Sequence, residues 1–131
     1  MIPPADRKYS RSHVWAMRET RGDVRIGLTH VPGGMLGDAV SVELPPPHTE
    51  VSAGEPIGLV QSPFTVFEIV SPLAGTVTDV NPEVESVPRR VTRDPYGEGW
   101  LLTIRPGDPD GDDSLLDRDE YENCSGERFA P

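Results

Sequence analysis

Residues 58–78, GLVQSPFTVFEIVSPLAGTVT, read as two short β-strands around a tight turn, then a second turn and a further strand. The first turn carries Pro63, Phe64 and Thr65 between the strands Ile57–Gln61 and Val66–Val70. Alternation from Phe64 sets Val66, Glu68 and Val70 on its face, with Thr65, Phe67 and Ile69 on the other. Phe67 and Ile69 are therefore expected in the core, and Phe64 exposed at the turn. Ser71-Pro72-Leu73-Ala74-Gly75 turns the chain again, into a strand over Thr76–Val80. The segment contains no lysine, and the chain's single lysine, Lys8, stands near the N-terminus.

Outward from this hairpin the pattern stays β-rich. HVWAM at 13–17 and DVRIGL at 23–28 read as strands joined by the turn Thr20-Arg21-Gly22. Between 28 and 38, Pro32 followed by Gly33 and Gly34 argues against a stable helix. Ala39–Leu44 alternates as a strand, with Val40, Val42 and Leu44 facing one way, and Pro45-Pro46-Pro47 ends it. Residues 51–56 form a tight turn in which Gly54 suits a positive φ. Asn81–Arg93 reads as a polar loop, and Asp94–Trp100 leads into a strand over Leu101–Arg105. The acidic run DPDGDD at 108–113 predicts a short helix over 114–123, its acids favouring the helix dipole. The turns VSAGEPIG and SPLAGTV form a weak quasi-repeat of strand–turn–strand units. The expected organisation is a flexible lead over 1–8, one domain over 9–122 and a flexible tail over 123–131.

Composition narrows the function. An apolar content of 35%, with 15 prolines and 13 glycines, suits a turn-rich β domain better than a helical bundle. A formal net charge of −10 repels nucleic acid and anionic membranes, so neither is an expected partner; the charge favours solubility or a basic protein partner. No stretch approaches the roughly 20 apolar residues of a membrane span, and the N-terminus lacks an apolar signal core. The cytoplasm is the expected compartment. Cys124, the only cysteine, reads as a stray surface thiol. His13, His30 and His48 are too scattered for a metal motif, and the 108–113 acids lack a calcium-loop pattern. No nucleophile elbow, phosphate loop or dinucleotide fingerprint appears, so no catalytic residue and no metal ligand is assigned.

The ordered segments carry a resemblance. Tyr9 with His13 and Trp15, GLTH at 27–30, LGDAVSVELP at 36–45 and TEVSAGEPIG at 49–58 are followed by SPLAGTVTDVN at 71–81, DPYGEGWLLTI at 94–104 and LLDRDEY at 115–121. In this order, over about residues 9–122, the chain resembles the glycine cleavage system H protein. The resemblance implies a mainly β fold: a lipoyl/biotinyl-carrier-like hybrid barrel-sandwich of two antiparallel sheets with a short C-terminal helix. It implies that His13 is a packed or hydrogen-bonded member of the strand signature.

The resemblance also implies where a carrier lysine belongs, after a Glu-Ser-(Val/Thr) lead on the hairpin tip. Here the lead is Gln61-Ser62-Pro63, and the lysine position falls on Phe64. A benzyl group forms no amide with lipoate or biotin, so no cofactor is expected. The segment 81–93, which in the family lies beside the lipoyl arm, carries Arg89, Arg90 and Arg93, a basic patch in an otherwise acidic chain. The expectation is a non-lipoylated accessory module, not an enzyme, that docks on an aminomethyltransferase-, decarboxylase- or other H-protein-recognising enzyme. Gln61, Ser62, Pro63, Phe64, Thr65, Arg89, Arg90 and Arg93 are its candidate contacts. The alternative is a genuine carrier modified at an unorthodox site, shuttling an aminomethyl or acyl group. Lys8 has no hairpin to present it and Ser62 lies within the hairpin before Pro63, so neither is the expected site.

Overall fold

The computed structural model describes residues 2–19 and 21–129, with side chains to Cys124. Its strands are β1 (Lys8–Tyr9), β2 (Val14–Arg18), β3 (Val24–Leu28), β4 (Ser41–Glu43), β5 (Glu50–Val51), β6 (Pro56–Gln61), β7 (Val66–Val70), β8 (Gly75–Val80) and β9 (Leu102–Pro106). Its helices are α1 (His30–Leu36), α2 (Pro82–Ser86), α3 (Arg90–Arg93) and α4 (Arg118–Phe129). All pairings are antiparallel, in a six-stranded sheet ordered β1-β2-β3-β9-β8-β5 and a three-stranded sheet ordered β4-β6-β7. The expected mainly β, two-sheet architecture is the one observed.

Alternation along the strands builds the core. Val14, Ala16, Ile26 and Ile104 of the large sheet and Val42, Val60 and Ile69 of the small one belong to a single buried cluster. Trp15 falls on the other face of β2, where it joins Tyr9 and Tyr121 in a second cluster. Tyr121 carries α4 onto this face, its ring stacked on Tyr9 at 5.0 Å. Phe67 packs partly buried against the core and Ile69 is fully buried, as the alternation requires.

Two glycines permit close approaches. A Cβ on Gly58 would lie 2.3 Å from the Glu43 carbonyl oxygen, so its absence lets β4 lie against β6 where the β6–β7 register shifts. A Cβ on Gly27 would lie 2.5 Å from the Trp15 ring.

Several expectations give way. Residues 30–36 are helical: Thr29 caps the helix by accepting from the Val31 N–H, and Pro32 sits in the first turn, where a missing N–H costs nothing. Gly37, at φ 72°, closes the helix by donating to the Gly33 carbonyl. The stretch 81–93 is two short helices rather than a polar loop. Asn81 caps α2 and Pro82 starts it, while Val84 and Val91 anchor α2 and α3 in the core. Val40 precedes the first ladder residue of β4 and is exposed rather than inward-facing.

At the C-terminus the helix starts at Arg118, four residues after the expected 114, because Asp117 and Glu120 form a reciprocal capping box. It runs on to Phe129 through the stretch read as tail. Within the expected lead, Lys8 pairs with Ala16, and the Arg7 guanidinium lies 4.5 Å over the Trp15 ring. Gly22 turns β2 into β3 at φ 88°, whereas Thr20 of the same expected turn lies outside the described residues.

Candidate docking surface

The hairpin tip is built by Ser62. Its N–H donates to the Thr65 carbonyl at 2.9 Å, and its hydroxyl oxygen accepts from the N–H groups of Phe64 (3.3 Å) and Thr65 (3.2 Å). Neither Pro63 nor Phe64 has a positive φ, so the loop needs no glycine, and this side-chain cradle holds it closed. Ser62 is consequently buried, at 6% exposure, and its hydroxyl is committed to the turn rather than presented for modification. Phe64 projects at 89% exposure, flanked by exposed Pro63 and Thr65. Gln61 is exposed, and its Oε1 accepts from the Ser41 hydroxyl at 3.1 Å.

Beside the tip runs an open groove of about 570 Å³. Asp38, Ala39 and Val40 form one wall; Ser86, Val87, Pro88 and Arg89 form the other, and Arg93 also borders it. The Val40 N–H donates to the Gln61 carbonyl at 2.7 Å, which joins the groove wall to the hairpin. Arg93 grips Asp38 through two parallel bonds of 3.0 and 2.8 Å. The Arg93 hydrogen bond holds the Asp38 carboxyl below the usual carboxylate range, and Asp38 in turn raises Arg93. Arg89 is exposed, and among the described residues its guanidinium has neither ion pair nor hydrogen bond.

Of the three expected arginines, the groove collects Arg89 and Arg93 only. Arg90 is absent from its lining and is bridged to Glu98 and, at 3.5 Å, to Glu83. Asp38 and Val40 were not singled out from the sequence. The Asp38–Arg93 pair spans 55 residues and leaves no local signal.

The remaining candidates are structural. The His13 Nδ1 and the Thr29 hydroxyl both meet the Tyr121 hydroxyl, at 2.6 and 2.7 Å, in a buried network, so the packed reading of His13 holds. Cys124 is a partly exposed free thiol that accepts from Arg11 at 3.2 Å. Among the described residues, no group of His, Cys, Asp and Glu is placed to hold a metal, and no helix is long and apolar enough to cross a membrane. An amide-linked lipoyl group needs a primary amine. Gln61, Ser62, Pro63, Phe64 and Thr65 supply none, so the tip does not fit such a group. Lys8 lies in the other sheet, on the edge strand β1.

Two antiparallel sheets with a projecting hairpin define the class: a lipoyl-carrier-like barrel-sandwich. The chain aligns with the crystal structure of a glycine cleavage system H protein from Mycobacterium marinum at a TM-score of 0.85 and 36% identity, covering 95% of this chain and 99% of that one. The family profile described as Glycine cleavage H-protein matches residues 7–128. The H protein of Bacillus velezensis is 39% identical over 127 residues, 97% of this chain and 99% of the relative. That of Thermus thermophilus is 42% identical over 120 residues, 91% and 92% of the two chains. The chain belongs to the glycine cleavage H-protein family. Proteins of this family are non-catalytic lipoyl carriers that work with the glycine cleavage enzymes.

Proposed function

We propose that this chain is a non-lipoylated accessory module of the family, acting in the cytoplasm by docking on an enzyme that recognises H-protein shape. Phe64 occupies the position of the carrier lysine. Its ring enters the partner's cleft, while Gln61, Ser62, Pro63 and Thr65 hold it there. Arg89 and Arg93 border the contact, and Arg90 supports their segment through its bridges to Glu83 and Glu98. An aminomethyltransferase-, decarboxylase- or related enzyme is the expected partner.

The observation that carries this reading is an aromatic ring at 89% exposure on the tip of an otherwise family-like scaffold. Exposed aromatic anchors that enter a partner's pocket commonly dominate an interface. Intact mass of the protein purified from its own host, with capture of partners by wild type and Phe64→Ala, tests the reading. A bare polypeptide mass and partner capture lost on Phe64→Ala are the expected results. An added lipoyl mass overturns the non-lipoylated role, and undiminished capture by Phe64→Ala removes the anchor.

A further inference from the structure

The small sheet ends at β7, and no strand of the described chain pairs with its outer edge. The Ser62–Thr65 pair closes the hairpin. Ladder alternation then gives Phe67 and Ile69 the bonds to β6 and turns the N–H and C=O groups of Val66 and Glu68 outward. Among the described residues, no backbone or side-chain hydrogen bond reaches those outward groups from outside the sheet. Helix α1 packs near β7, yet Val66 stays 51% exposed and Glu68 exposed. An edge in this state is a template for another extended chain.

The side chains say which chain. Register puts Glu43, Leu59 and Glu68 in one row across the three strands, and Ser41, Gln61 and Val66 in the next row on the same face. These rows hold two carboxylates around an apolar centre and no base. A second copy paired in the register centred on Glu68 is disfavoured, because two carboxylates then stand directly opposite each other. We propose that the free edge of β7 accepts an extended basic segment of a partner protein, adding a fourth strand to the small sheet. An arginine or lysine of that segment sits opposite Glu68, and apolar residues flank it against Val66 and Val70. The edge works independently of the Phe64 anchor.

The test titrates the isotope-labelled full chain, at low salt, with an acetylated and amidated Val-Thr-Arg-Thr-Val peptide and with its Val-Thr-Glu-Thr-Val counterpart. Slowed amide exchange at Val66 and Glu68 is expected with the arginine peptide, and about tenfold weaker binding for the glutamate peptide. Glu68→Lys should reverse that preference, Glu68→Gln should reduce it, and Phe64→Ala should leave it unchanged. Unaltered exchange at both amides, equal binding of the two peptides, or concentration-dependent self-association through the same amides overturns the proposal.

Discussion

Phe64 leaves nearly all its apolar area in water, so its ring adds little to folding. Phe64→Ala is expected to shift unfolding stability by no more than about 0.5 kcal/mol, read from urea denaturation. Gly27 is the opposite case. The Trp15 ring that a Cβ there would strike is 1% exposed and is held by its indole N–H donating to the Pro95 carbonyl at 2.8 Å. The ring has nowhere to move, so Gly27→Ala should destabilise by about 1–3 kcal/mol in the same measurement. His13 keeps a φ of 66° without being glycine, which its buried bond to Tyr121 helps to hold.

At the scale of elements, Tyr121 is the buried anchor among the described side chains of α4. Removing its hydroxyl leaves His13 and Thr29 facing each other's lost partner in a buried site. Tyr121→Phe should therefore cost about 1–3 kcal/mol, with faster amide exchange along α4 than in β2 or β3. The first residue of α1 is tied to the 94–100 turn by the His30 Nδ1 and Tyr96 hydroxyl at 2.8 Å. Burial lowers the affinity of His30 for a proton below its ordinary value of 6.5 and raises the Tyr96 hydroxyl to about 12. The unfolded chain then binds more protons than the folded one as pH falls through 6.5, so stability drops on that side. Denaturation midpoints should fall between about pH 7.5 and 5, and His30→Asn should flatten that slope.

For the whole molecule, a net charge of −10 on 131 residues stores self-repulsion that salt screens. The thermal midpoint is expected to rise when NaCl goes from about 10 mM to about 150 mM; a fall would mean that attractive surface bridges outweigh the repulsion. The same field gives the local exceptions their meaning. The arginine-bordered groove and the edge of β7 with its Glu68 are two differently charged surfaces on the small-sheet side.

The strands were legible because pleating sorts side chains at a period of two: β7 falls at Val66–Val70, as read, and Ile69 lies inside. The absence of an amine from the hairpin was equally plain, since it needs no folding to be true. Helix α1 was missed because Pro32 and the glycines lower intrinsic propensity, whereas capping by Thr29 and burial of Leu36 outweigh it only in the packed chain. Likewise the Asp38–Arg93 grip joins residues 55 apart, and the His13–Tyr121 bond residues 108 apart. Periodicity belongs to neighbours along the chain, and so the amino acids by themselves determined strands, turns and the aromatic tip. Which distant side chains would meet, and hence the groove and the seat of α4, was decided only when the sheets closed on each other.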